Sequence, residues 1–313
     1  MRKRIQIRGT VQGVGFRPFV ANLANRLGIS GFVRNTEAGV EIEAEGGAVA
    51  DFLRELRGGA PALSRIAEME VSDLEPFCGR GFEIRESAPR VGDFALVPPD
   101  IATCNACLSD LTQPGNRRYG YPFTNCTNCG PRYTIIRDVP YDRAATTMAD
   151  FEMCAACAAE YRDPADRRFH AQPNACPVCG PRISAGLGEV RDWLRAGEIV
   201  AIKGLGGYHL ACDARNEAAV HRLRERKRRG DKPFAVMVRD LEEVQRLCEV
   251  SHAERALLAG ARRPIVLLRK RGGEALPGVA PRNPNLGVML PYTPLHHLLF
   301  DGGGLAALVM TSG

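Results

Sequence analysis

The sequence predicts an α+β protein of several domains, and three observations carry that expectation. The first ninety residues give strand and helix signals in the order β-α-β-β-α-β, the ferredoxin-like split βαβ plan. The middle holds four Cys-x-x-Cys pairs in two halves, the first cysteine of each pair recurring 50 residues later. From about residue 187 the pattern becomes α/β. We expect domains at 1–90, 91–185 and 186–313, in keeping with 313 residues at ~100–200 per domain.

Ile5 and Ile7 alternate with polar neighbours as a half-buried strand does. The run Gly9 to Pro18 then places three glycines in seven residues, which allows tight turns and close approach to a ligand. Pro18 suits a helix start, and Phe19, Val20, Leu23, Ala24 and Leu27 share one face before Gly28 ends it. Gly31 to Asn35 and Val40 to Glu45 alternate around the turn Thr36-Glu37-Ala38-Gly39. Val49, Phe52, Leu53 and Leu56 make a second amphipathic helix, followed by strands at Ile66–Leu74 and Gly81–Arg85.

A glycine loop that runs from a strand into a helix start is an anion cradle: main-chain N–H groups converge and the helix dipole favours negative charge. Arg17 at its end offers a planar fork to phosphate oxygens. Asn35, at the end of the next strand, can orient a water for in-line attack. Gln12-Gly13-Val14-Gly15-Phe16-Arg17 with Gly31-Phe32-Val33-Arg34-Asn35 resembles the two signature segments of acylphosphatases over roughly residues 3 to 87. The resemblance implies that Arg17 binds an acyl phosphate and Asn35 orients the water.

Cys104/Cys107, Cys126/Cys129, Cys154/Cys157 and Cys176/Cys179 have the spacing of metal knuckles. Two knuckles complete a tetrahedral sulfur site, so eight thiolates make two closed, structural zinc sites, with rubredoxin-type iron a minor competitor. Zinc can supply the folding energy that a segment rich in Pro and Gly turns lacks. Spacing alone leaves the pairing open. Sequential pairing is favoured because each half then folds on its own ion. The halves also share Asn116-Arg117-Arg118-Tyr119 with Asp166-Arg167-Arg168-Phe169, and Cys129-Gly130-Pro131-Arg132 with Cys179-Gly180-Pro181-Arg182. These arginines and aromatics could touch nucleic acid, but are rather expected to pack the segment or line its interface with neighbours, and His170 to pack or hydrogen-bond rather than ligate. The isolated Cys78, Cys212 and Cys248 are expected to be buried.

In the last third, Val190, Trp193 and Leu194 suggest a helix, and Glu198–Lys203 a buried strand leading into a glycine turn that holds Lys203 and ends at His209. Residues 216–229 read as a helix, with further strands at Phe234–Val238, Ile265–Arg269, Val288–Leu290 and Leu305–Met310. Seven basic residues lie between Arg222 and Lys232. Such a run is a solvated face or an anion site. Lys227 and Arg229, with Lys232 and the distant Ser312, resemble the Lys-x-Arg and Ser-x-Asn pattern of YrdC-like nucleotide-binding domains. The chain stops before that asparagine, and a fragment is expected.

Hydrophobic content of 45% and charged content of 25% are ordinary for a globular protein, and no apolar run approaches the ~20 residues that span a bilayer. Eleven cysteines, eight of them in knuckle pairs, suit a reducing cytoplasm better than a disulfide framework. The order acylphosphatase-like, double four-cysteine block, YrdC-like resembles the HypF family of carbamoyltransferases in nickel–iron hydrogenase maturation. That resemblance covers the whole chain. It implies hydrolysis of carbamoyl phosphate to carbamate, adenylation of carbamate with ATP (with Mg²⁺), and transfer to the C-terminal cysteine of HypE by a last domain expected to be missing here. No membrane partner is expected. The competing reading is a zinc-containing RNA-binding protein related to tRNA threonylcarbamoyl-adenylate synthases; the Arg17/Asn35 pair argues against nucleic acid.

Overall fold

A computed structural model describes residues 1–88, 96–272, 276 and 278–313. The boundary expected at 90/91 lies outside these residues. The chain forms two compact units, one of residues 1–100 and 125–180, the other of residues 101–124 and 181–313.

The first unit opens with β1 (Arg2–Thr10), α1 (Phe16–Arg26), β2 (Ser30–Thr36), β3 (Gly39–Glu45), α2 (Val49–Gly58), β4 (Arg65–Leu74) and β5 (Phe82–Ile84). The sheet order is β4-β1-β3-β2-β5, with β1 antiparallel to β3 and β4, and β5 parallel to β2. This is the expected ferredoxin-like plan with one strand added at the β2 edge. Alternation along β1 turns Ile5 and Ile7 into a core shared with Val33, Ile42, Val20, Leu23, Phe52 and Leu56. The basic start of the chain is paired rather than left open to a ligand. Arg2 and Arg4 reach Glu43 at 2.6 and 3.1 Å, and Lys3 reaches Asp73 at 2.5 Å. Helix α1 begins at Phe16, two residues before Pro18. A proline in the first turn is tolerated because its missing N–H has no intrahelical partner to lose.

Each half of the cysteine segment starts a short helix directly after its first cysteine: α3 (Asn105–Thr112) after Cys104 and α4 (Ala155–Arg162) after Cys154. The repeated motif that follows has the same local chemistry twice. The Arg118 amide donates to Asn116 Oδ1 at 2.9 Å, and the Arg168 amide to Asp166 Oδ1 at 2.7 Å, the side-chain turn that Asn and Asp favour. At the next equivalent position Gly120 has φ 65° and His170 has φ 53°.

The second unit contains α5 (Leu187–Arg195), β6 (Val200–Lys203), β7 (Tyr208–Asp213), α6 (Glu217–Arg226), β8 (Ala235–Val238), α7 (Leu241–Leu247), α8 (His252–Ala259), β9 (Val266–Arg269), β10 (Asn285–Met289), α9 (Pro294–Phe300) and β11 (Ala307–Ser312). Its six-stranded sheet runs β6-β7-β11-β8-β10-β9. Alternation in β8 sends Val236 and Val238 to one core and Met237 to another.

Several expectations are corrected. Residues 208 and 209 belong to β7, because the turn between paired β6 and β7 is shorter than the glycine run suggests. Helix α6 stops at Arg226, since Arg228 and Gly230 take positive φ. Ser312 lies inside β11, paired with His209, rather than beyond a strand. Helices α7, α8 and α9 were not anticipated, although each begins with a legible cap: Asp240, Ser251 and Thr293 accept from the amides of Glu243, Glu254 and His296.

Burial makes this unit acid-sensitive. His296 is fully buried and neither ring nitrogen has a protein partner. Burial, then the neighbouring His209 and His297, pushes its pKa down to about 3. Burial, then Arg263, pushes His297 down to about 4. Both titrate near the ordinary value of ~6.5 when unfolded, so the unfolded chain binds more protons below that pH. The stability they permit is complete above pH ~6.5 and lost as pH falls toward the folded values. Calorimetric unfolding midpoints should therefore drop between pH 7 and pH 4.5, and His296→Leu should make that slope shallower; an unchanged slope counts against this origin.

Candidate functional site

The loop between β1 and α1 needs glycine where it turns. Gly13 and Gly15 have φ of 64° and 78°, the left-handed region that disfavours a side chain. A Cβ on Gly13 would also sit 3.0 Å from Pro98 and 3.1 Å from the Tyr141 ring. The loop feeds the first turn of α1, where Gly15 is the cap residue and no side chain caps the free amides. A cavity of about 20 Å³ lies here, walled by Gly13, Gly15, Arg17, Tyr141, His170 and Gln172 among others. That is room for one or two water-sized groups. Val14 and Phe16 are buried in the core of the fold.

Arg17 is 7% exposed, and its Nη2 donates to Asp142 Oδ1 at 2.8 Å and to the Tyr141 carbonyl at 3.3 Å. Asn35 is fully buried on β2. Its Nδ2 donates to the same Tyr141 carbonyl at 3.3 Å, and its Oδ1 has no hydrogen-bond partner. One carbonyl oxygen thus joins the two residues that the sequence singled out. Gln12 fixes that carbonyl from behind. Its Oε1 accepts from the Tyr141 amide at 2.9 Å, while its Nε2 donates to the carbonyls of Thr36 and Gly39 at 2.7 and 2.8 Å. The Gln12 side chain is therefore a buried clamp, and the loop's main chain and Arg17 are what line the cavity. His170 stays neutral near pH 7: burial, then the Arg17 charge, pushes its pKa down to about 4.

Arg132 ties this loop to the cysteine segment. It is 2% exposed, and among the described residues its guanidinium donates to main-chain carbonyls alone: Gly13 from Nε, Cys129 and Pro131 from Nη1, Cys126 and Thr127 from Nη2.

The cysteines gather as two sets of four: Cys104, Cys107, Cys126 and Cys129, and Cys154, Cys157, Cys176 and Cys179. The sulfurs of each set all lie within 4.8 Å of one another. This is the sequential grouping. The resolved Sγ separations are 3.8 Å for Cys126/Cys129, 3.7 Å for Cys154/Cys176, 3.8 Å for Cys176/Cys179 and 3.6 Å for Cys157/Cys179. Four sulfurs placed tetrahedrally at a Zn–S length of ~2.3 Å stand about 3.8 Å apart, so the donor set fits that ion. The Cys157 amide, with neighbouring thiols, draws the Cys154 thiol down to about 6 despite partial burial. His170 is in neither set; its ring packs 4.8 Å from those of Tyr161 and Phe169. Cys212 and Cys248 are buried as expected, with burial pushing their thiols up to about 12 and 11. Cys78 is exposed instead, because Glu45 holds its amide at the surface at 3.1 Å.

In the second unit the sheet register brings Lys203, His209 and Ser312 to one end of three adjacent strands, Lys203 against Tyr208 and Ser312 against His209. Lys227 joins them, its Nζ donating to the Ser312 carbonyl at 2.6 Å. Lys203 Nζ donates to Gly206 O at 2.8 Å and lies 5.1 Å from the Tyr208 ring centre. Arg229 turns back on its own segment, bonding the carbonyls of Lys232 and Pro233 and stacking on Phe234. Lys232 is exposed. His209 Nε2 lies 2.8 Å from the Tyr292 hydroxyl, and burial lowers the His209 pKa.

Tyr141, Asp142, Arg132 and Tyr292 were not singled out as site residues. Arg132 ends the repeated Cys-Gly-Pro-Arg motif, whereas Tyr141, Asp142 and Tyr292 carry no motif and only folding brings them to the glycine loop or to His209.

Among the described residues no helix is long and apolar enough to cross a membrane. The acylphosphatase family model matches residues 3–84, the HypF finger model residues 103–136 and 153–185, and the Sua5–YciO–YrdC model, described as telomere recombination, residues 192–313. Carbamoyltransferase HypF of Rhizobium leguminosarum bv. viciae is 54% identical over 305 residues, covering 96% of this chain and 39% of its own. An acylphosphatase of Aeropyrum pernix is 46% identical over 91 residues, covering 27% of this chain and 88% of its own. A solved structure of full-length HypF in a phosphate- and nucleotide-bound form superposes with a TM-score of 0.95 at 48% identity, over all of this chain and 42% of that one. The chain thus spans about two fifths of the length of these HypF relatives. With all three of its modules matched in this order, the chain belongs to the HypF carbamoyltransferase family, and its first module is an acylphosphatase domain.

Proposed function

We propose that this chain cleaves carbamoyl phosphate and prepares the released carbamate for transfer. The observation that carries the reading is the meeting of Arg17 and Asn35 on one carbonyl beside a glycine loop of anion-cradle geometry. In this reading the loop amides and Arg17 hold the phosphoryl group, and the Asn35 Oδ1 accepts from a water aimed at phosphorus. The water's oxygen bonds to phosphorus as the P–O bond to the carbamoyl group breaks. Phosphate and carbamate leave with the water's protons shared between them and solvent. Positioning and electrostatics supply the catalysis, as in phosphoryl transfer generally.

The same reading gives three modules, 1–90, 91–185 and 186–313. The third takes ATP with Mg²⁺ and carbamate, forming carbamoyl adenylate and releasing pyrophosphate. Lys203, His209, Lys227, Arg229, Lys232 and Ser312 are its candidate ligands, and the cluster of Lys203, His209, Lys227 and Ser312 at one sheet end supports four of them. In the whole protein the carbamoyl group would pass to the C-terminal cysteine of HypE, in the cytoplasm. The HypF relatives and the phosphate- and nucleotide-bound structure favour this assignment over RNA binding. Each four-cysteine set would hold one zinc ion, which supplies structural cross-linking and no chemistry to the reaction.

Phosphate release from carbamoyl phosphate should fall about 10²–10³-fold in Arg17→Ala, the scale of losing a charged transition-state donor. Asn35→Ala should lower kcat with little change in KM. Wild-type protein that releases no phosphate would falsify the assignment. Elemental analysis should find two zinc ions per chain, and Cys157→Ser should lower both the zinc content and the unfolding midpoint. An unchanged metal content in that variant would reject the four-thiolate sites.

A further inference from the structure

The guanidinium of Arg17 has an anchor that the glycine-loop motif does not contain. Among the described residues only Nη2 of its three nitrogens is engaged, by Asp142 Oδ1 and the Tyr141 carbonyl. Among the described residues Nε and Nη1 make no hydrogen bond, and Arg17 lines the cavity at the loop. Asp142 is itself held: its Oδ2 accepts from the Ser87 hydroxyl, while Oδ1 faces Arg17. The Arg17 side chain is 8% exposed and that of Asp142 31%, so the pair is partly shielded from water and its geometry is worth more than that of a surface ion pair.

A long arginine side chain otherwise samples many rotamers, and ordering it on binding costs affinity. A carboxylate that grips one nitrogen removes that freedom in advance and leaves the other edge of the fork for a ligand. The same carboxylate compensates a buried cation when no ligand is bound. The geometry points to Asp142, backed by Ser87, as a positioning residue for phosphate binding by Arg17. Tyr141 and Asp142 lie more than a hundred residues along the chain from Arg17, beyond the acylphosphatase match at 3–84. The module's phosphate grip is thus completed by the cysteine segment.

This inference rests on the reading of Arg17 as the phosphate-binding group, and inorganic phosphate tests it without turnover. Calorimetric titration of the metal-loaded chain with phosphate should show Kd raised about tenfold in Asp142→Ala, a loss of ~1.4 kcal/mol. KM for carbamoyl phosphate should rise in parallel, more than kcat falls, with zinc content as in wild type and a lower unfolding midpoint, because the Arg17 charge loses its partner. Asp142→Asn, which keeps the shape and one acceptor, should lie between, and Ser87→Ala should show a smaller effect of the same sign. If Asp142→Ala does not fold, Asp142→Asn carries the test. Unchanged phosphate affinity in the folded variants overturns the inference. Tighter binding also overturns it, because Asp142 would then be a competitor for Arg17. Wild-type protein that binds phosphate through Arg17 and Asp142 yet leaves carbamoyl phosphate intact would sink the hydrolysis reading and spare this one.

Discussion

A buried guanidinium that bonds only carbonyl oxygens is the constraint on which the first unit turns. Arg132 collects oxygens from the glycine loop and from the cysteine knuckle at 126–131, and in doing so fixes both. A lysine could not do the same, since its ammonium has three donors at one point rather than five spread around a plane. Removing the side chain would take a donor from five main-chain carbonyls at once, and a buried polar group left unsatisfied costs about 1–3 kcal/mol. The glycine loop is therefore shaped by its own glycines and by a neighbour's hydrogen bonds together.

This dependence explains what could be read from the sequence and what could not. The ferredoxin-like module was legible almost strand for strand, because alternation in β1 and β3 and the apolar faces of α1 and α2 are local signals. The glycine loop, Arg17 and Asn35 were legible for the same reason. The Tyr141 carbonyl was not, because a main-chain oxygen has no signature and its approach is set by contacts 106 and 124 residues away in sequence. Gln12 was read as part of the loop, whereas its side chain works inward, toward Thr36, Gly39 and Tyr141.

The second unit was less legible. Its strands are short, four to six residues, and periodicity over such lengths separates strand from helix poorly. Strand β7 was hidden behind a glycine-rich run, although Leu210, Ala211 and Cys212 continue it as an apolar stretch. Helices α7, α8 and α9 have only seven or eight residues, too short for an amphipathic pattern to stand out, and their capping residues were the better guide. What the register adds is a grouping no motif stated: three strands deliver Lys203, His209 and Ser312 to one edge region, and the basic segment sends Lys227 to it.

The doubled cysteine block looks symmetric on paper: the same knuckles, the same helix after the first cysteine, the same Gly-Pro-Arg ending. Yet Arg132 is sequestered while its counterpart Arg182 faces solvent. The two halves therefore share a motif and differ in its use, one arginine bound into a neighbouring loop and the other exposed. The motif supplies an arginine twice, and only the first copy stands where a guanidinium finds a ring of oxygens to gather.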